Sequence, residues 1–231
     1  MRHPAHRGLL GAAGSGLLAL ALTVGVAGAA QAATLFSDDF NDNNADGWSK
    51  SGGDWSVVSD GSPSFTQSKL DSELARQFAG STAWTAYSVQ ARVKPLAFNG
   101  GNRLVALAAR ASGATKMYRL ALVNAGRAEL QAVDGGAVTV LGTAPLSVST
   151  GTWYALRLDA DGSTISGFVN GTRVGSGTSS AHPAGRIGLV TAYASARFDD
   201  VVVSTLGSSP PPPTTGPTTA PTVPPTVPPA A

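Results

Sequence analysis

Two acidic pairs stand at opposite ends of the patterned part of this 231-residue chain: Asp38-Asp39 in SDDF and Asp199-Asp200 in FDD. Adjacent carboxylates with nearby loop carbonyls are hard oxygen ligands, and calcium is the cation they suit. Four carboxylates crowded together without a cation would repel one another. If the first and last strands lie side by side, Asp38, Asp39, Asp199 and Asp200 are therefore predicted to hold a structural calcium. Asp42-x-Asn44-x-Asp46-Gly47 repeats the opening half of a calcium-loop pattern, but Gly53 stands where the closing Glu belongs, so the loop is incomplete. The plain alternative is an Asx-rich turn with solvated strand ends.

A second set is basic. Between Glu73 and Glu129 there is no acid but eight bases: Arg76, Arg92, Lys94, Arg103, Arg110, Lys116, Arg119 and Arg127. Arginine pairs with carboxylates bidentately, so such a run could recognise a polyanion rich in uronate. Arg92, Lys94, Arg110 and Arg119, with Tyr118 as an aromatic platform inside the run, are the predicted carbohydrate-binding residues. The alternative is that these are ordinary outward side chains of a sheet, balanced by the acidic front segment. Of the tryptophans, Trp153 next to Tyr154 at a strand start is predicted to pack in the core.

Catalytic sets are poorly supplied. A glycosidase needs two facing carboxyl groups, yet the only glutamates of the patterned region, Glu73 and Glu129, stand on different segments. His182, in the loop Ser179–Gly185, is the only histidine past the N-terminal leader and is predicted to be solvated. No catalytic residue is assigned, and whether the chain is an enzyme is left leaning towards no.

The elements that would carry these residues are short strands. Met1–Ala32 has a basic start (Arg2, Arg7), a short apolar run at Leu17–Val26 and the small-x-small site Ala30-Gln31-Ala32. That is the pattern of a secretory signal cleaved after Ala32, and the run is too short to span a bilayer comfortably. Without Arg2 and Arg7 the chain has 14 bases against 14 acids, which argues against nucleic-acid binding through bulk charge. It has no cysteine, so disulfides and thiolate metal sites are excluded. Export and a monomeric state are the expectations.

Period-two alternation recurs at Tyr87–Leu96, Arg103–Ser112, Lys116–Asn124, Arg127–Val133, Ala137–Ala144, Thr152–Ala160 and Thr164–Asn170. Asp161-Gly162 and Asn170-Gly171 are hairpin signals. Ser72–Phe78 is ambiguous between a helical turn and an extended piece, with the extended form favoured. Arg186–Ser204 reads as two strands with a turn near Ala194-Ser195 that close the folded unit. Many short strands at even spacing imply an all-β, two-sheet antiparallel sandwich over residues 33–206. Residues 207–231 are Pro/Thr-rich and predicted to be a disordered, extended linker. The linker either ends the chain as a tail or marks a fragment of a longer precursor.

Gly151–Gly171, GTWYALRLDADGSTISGFVNG, with SDDFNDNNADGW before it and RIGLVTAYASARFDDVVV behind, resembles concanavalin A-like (laminin G-type) jelly rolls over nearly all of Thr34–Leu206. Signal, domain and Pro/Thr linker together are similar to the front half of secreted bacterial pectate lyases, where a catalytic β-helix follows the linker. The resemblance implies a secreted, non-catalytic module that binds a polysaccharide such as pectate. Its alternatives are a pectate lyase that lacks its catalytic part here, and a cell-surface interaction domain without a glycan ligand.

Overall fold

The computed structural model describes residues 32–207; the expected signal and linker, apart from Ala32 and Gly207, lie outside the described residues. Alternation of apolar and polar residues leaves each segment one face to bury, and every regular element described is a strand. Sheet A contains β1 (Thr34–Asp38), β3 (Trp55–Asp60), β4 (Ser62–Gln67), β6 (Tyr87–Phe98), β11 (Tyr154–Asp161), β12 (Thr164–Val169), β13 (Thr172–Thr178) and β15 (Ala194–Thr205). Sheet B contains β2 (Ser49–Ser51), β5 (Ala75–Ala79), β7 (Leu104–Gly113), β8 (Lys116–Val123), β9 (Arg127–Asp134), β10 (Ala137–Pro145) and β14 (Arg186–Ala192). Sheet A runs β13-β12-β11-β6-β15-β4-β3, and sheet B runs β10-β9-β8-β7-β14-β5-β2. All pairings are antiparallel. The fold is a two-sheet jelly-roll sandwich, as the sequence pattern predicts, and Ala75–Ala79 is extended.

The core lies between the sheets. Val89, Ala91 and Val93 of β6 and Leu156 and Leu158 of β11 meet Val105 and Leu107 of β7 and Leu120 and Leu122 of β8, all essentially without exposure. At one side the two sheets converge: a Cβ built on Gly142 of β10 would lie 2.6 Å from the Cα of Gly175 in β13, so glycine is required there by backbone contact.

Two features of the C-terminal strands depart from the sequence reading. β14 and β15, read as two strands with a turn near Ala194-Ser195, do not pair with each other. The break falls at Tyr193, whose φ is 46°, and the chain crosses there from sheet B to sheet A. Within β15 the alternation changes phase. Asp199 pairs with Arg92 and Val202 with Gln90, so one extra residue is inserted in β15, and Asp200 takes a φ of 49°. Phe198, Val201 and Val203 consequently all face the core.

Candidate functional site

Four groups of polar side chains come out of this framework. The first is on the outer face of sheet B. Phe78, Leu104, Ala106, Ala108, Met117, Ala121, Val123, Val133 and Val190 form an apolar cluster drawn from sheet B strands alone, so it lies on the side turned away from sheet A. Register places Arg119 between Ala108 and Gln131, and Ala121 beside Glu129, across β7, β8 and β9. On β5, Arg76 pairs with Val190 and Phe78 with Gly188. Small residues in the middle strands leave room for the long polar side chains to lie flat across the strip. Arg76 and Arg119 are each only 8% exposed, Glu129 9% and Gln131 4%.

These side chains are linked. Arg119 Nε donates to Gln131 Oε1 at 2.6 Å, Gln131 Nε2 donates to Glu129 Oε2, and Arg127 Nε donates to Glu129 Oε1 at 2.5 Å. Arg186 donates to Ser49 Oγ at 2.9 Å and lies over the Phe78 ring at 5.0 Å. Arg76 NH1 donates to Ser51 Oγ at 3.3 Å, while the Nε groups of Arg76 and Arg186 are buried without a hydrogen-bond partner. Burial, followed by the Arg76 charge, lowers the Arg119 guanidinium to about 10, and Glu129 only partly opposes this. The named residues of this face therefore bring four guanidinium groups, of Arg76, Arg119, Arg127 and Arg186, against the one carboxylate of Glu129, an excess of positive charge.

The five residues expected to form one basic surface do not share one. Only Arg119 is on this face. Arg92 and Lys94 lie on the outer face of sheet A, over the Trp153 ring at 4.6 and 5.0 Å. Arg92 also meets Asp200 at 3.1 Å and Asp199 at 3.9 Å. Trp153 is thus a half-buried stacking partner rather than a core residue. Arg110 and Tyr118 are buried. The Tyr118 hydroxyl donates to Ser179 and accepts from His182 N–H at 3.1 Å. The correction has a simple cause: strands adjacent in sequence present alternate residues to opposite sides, and β6 and β8 belong to different sheets.

The acids do gather. β1 pairs with β15, with Asp38 opposite Val201. Asp38, Asp39, Asp42 and Asp200 line an open cleft of about 430 Å³. Several of their oxygens accept hydrogen bonds from the protein. Asp38 accepts from Phe40 N–H at 2.9 Å and from Trp48 Nε1 at 2.7 Å, and Asp39 accepts from Asn41 N–H. In the half-pattern loop, Asp42 accepts from Asn44 N–H and Asn44 from Asp46 N–H, which makes successive Asx turns. Among the described residues, no three His, Cys, Asp or Glu side chains group as metal ligands do.

The fourth group centres on Arg110 and a cleft of about 340 Å³ lined by Thr85, Ser163, Ser180 and Pro183 among others. His182, behind it, is 2% exposed rather than solvated: its Nε2 lies 2.7 Å from the Val133 carbonyl and its ring meets Tyr118 edge-on. The sequence reading missed Gln131 as the partner of Arg119 and Glu129 as the partner of Gln131, and missed Arg186 and Phe78 on the same face. Their signal was polar residues recurring at every second position of neighbouring strands, as in Arg127, Glu129 and Gln131.

Residues 75–201 match the profile described as the concanavalin A-like lectin/glucanases superfamily. An extracellular exo-α-L-arabinofuranosidase of Streptomyces chartreusis is 30% identical over 184 residues, which is 79% of this chain and 21% of that protein. The chain thus spans about a fifth of that relative's length. Among solved structures, the carbohydrate-binding module CBM66 of Bacillus subtilis superposes with a TM-score of 0.61 at 17% identity, covering 69% of this chain and 96% of that one. Domain 4 of AbnA, a GH43 extracellular arabinanase from Geobacillus stearothermophilus, solved with arabinotriose, gives 0.54 at 13% identity, covering 77% and 95%.

Proposed function

Since the chain belongs to the concanavalin A-like lectin/glucanases superfamily, we propose that it is a secreted, non-catalytic carbohydrate-binding module of a polysaccharide-degrading protein. The observation that carries this reading is the Arg119–Gln131–Glu129–Arg127 network on the outer face of sheet B. The core does not need these groups, and planar polar side chains above an apolar strip suit a sugar with hydroxyl edges and CH faces. The arabinofuranosidase, the carbohydrate-binding module and the arabinanase domain support it. Its effect would be to hold a catalytic domain near its polymer, raising effective concentration.

For the ligand we propose a pectin-type polysaccharide. The charge excess around Arg76 and Arg119 favours uronate units, and the arabinofuranosidase and the arabinotriose complex favour arabinose units. The test is retention of the domain on polygalacturonate, arabinan, xylan and β-glucan at two salt concentrations. Arg76→Gln with Arg119→Gln should weaken retention at least tenfold, while Arg92→Ala on the opposite sheet leaves it unchanged, with melting temperatures compared throughout. Salt-sensitive retention on polygalacturonate supports the uronate reading, and salt-insensitive retention on arabinan alone moves it to neutral arabinose polymers. Retention on none of the four overturns carbohydrate binding in favour of a surface interaction domain.

Structural calcium at the cleft of Asp38, Asp39 and Asp200, with the neighbouring Asp199, is a further proposal. Its support is the crowding of carboxyl groups along the β1–β15 pairing. A chelator should then lower the melting temperature and added calcium restore it; an unchanged melting curve retires the idea.

A further inference from the structure

Arg110 is a charged side chain buried near the end of β7. It sits where the pairing of β7 with β8 loses register, and its φ is 49°, a conformation that a residue with a long side chain rarely adopts. It is 2% exposed and heads the largest fully buried side chains. Its backbone N–H donates to the Tyr87 hydroxyl at 2.6 Å. Its Nε donates to the Thr85 carbonyl at 2.8 Å, and its NH1 to the carbonyls of Gly162 at 2.7 Å and His182 at 3.3 Å. All of these partners are neutral, and among the described residues no carboxylate pairs with Arg110. A buried guanidinium without a counter-charge is costly unless something supplies one.

The cleft beside it has the dimensions and lining to do so. Its volume of about 340 Å³ is that of a small-ligand pocket rather than a polymer groove. Thr85, Ser163 and Ser180 bring hydroxyls, Pro183 an apolar wall, and Arg110 the single charge. NH2 makes none of the hydrogen bonds that tie the other two nitrogens to the loops.

We propose that this cleft binds one hydroxy-carboxylate unit, such as the terminal uronic acid of a glycan, with its carboxylate on Arg110 and its hydroxyls on Thr85, Ser163 and Ser180. One cation and three hydroxyls match one carboxylate and its neighbouring ring hydroxyls, and nothing in the lining would neutralise a second anionic group. The cleft lies at the end of β7, shares no lining residue with the Arg119 network and does not rest on polymer binding.

The test is amide chemical-shift titration of the whole chain with galacturonic acid, galactose and lactate at millimolar concentrations. Galacturonic acid should shift Gly162, Ser163 and Ser180 while galactose does not. Lactate shifting them equally supports the anion site but makes a small hydroxy acid its ligand. Ser180→Trp, which fills the cleft and leaves the Arg110 bonds in place, should weaken the titration at least tenfold at an unchanged melting temperature. Arg110→Gln, if it folds, should do the same. Arg76→Gln with Arg119→Gln should leave these shifts intact, so loss of polymer retention and loss of this site are told apart. No shift with galacturonic acid, or equal shifts with galactose, overturns the proposal.

Discussion

At Asp199 a carboxyl group is buried next to another one. Burial, and then the charge of Asp200, push its pKa up to about 6 from 3.8, and Arg92 at 3.9 Å is too exposed to offset them. The folded protein therefore holds a proton that the unfolded chain releases. Its contribution to stability is present below about pH 4 and is lost as pH rises to about 6. Asp199→Asn keeps an oxygen to accept the Asp200 N–H and removes the titration. It should stabilise the domain at pH 7.5 by about 2 kcal/mol, and its melting curve should merge with that of the unmodified protein near pH 4. An equal gain at both pH values would show that charge is not the cause. The acidic pair and its meeting with β1 are legible in the sequence. The extra residue at Asp200 is not, because an aspartate beside another in an alternating strand gives no sign that the phase has changed.

Among elements, the tightest constraint is where β10 and β13 bring the two sheets together. Gly142 and Gly175 face each other so closely that a Cβ on either would meet the other's backbone. Gly142→Val should push the sheets apart and cost about 2 kcal/mol or more, measured by denaturant unfolding. Gly101→Ala, where a Cβ would meet nothing within 4 Å, should change stability by less than about 0.5 kcal/mol. Strand positions follow from alternation and turn chemistry; the Asn170-Gly171 turn, for instance, shows the positive φ values its residues permit. Sheet membership does not follow. Nothing in Arg186–Ser204 distinguishes a hairpin from a crossover at Tyr193, since both need only a turn-compatible break. Ser49–Ser51 is too short and polar to be read as a strand and owes its pairing to Phe78, Gln77 and Arg76.

For the whole molecule, the difficulty in reading the site is one of assembly. A run of bases close in sequence is distributed over two outward faces and a buried pole, because a sandwich interleaves its strands. The Arg119 network draws instead on the paired strands β8 and β9, with the charge of Arg76 felt from β5, which reaches this sheet only through β14 when the sandwich closes. The ends of the domain are also set by this closure. The Thr205 N–H donates to the Ala33 carbonyl and the Ala33 N–H to Thr205 Oγ1, so the first and last strands begin and end at one corner. If the module tethers an enzyme to a surface, tension between its two ends would load the β1–β15 bonds one after another, as in a zipper, instead of all together in shear. Such a domain bears little load along its own chain. It is suited to hang from one corner, so attachments on both sides of it in a longer protein would leave the Arg119 face free, whereas the Arg110 cleft lies close to that corner, with Thr205 opposite Tyr87 and Thr85 and Ala86 in the cleft wall.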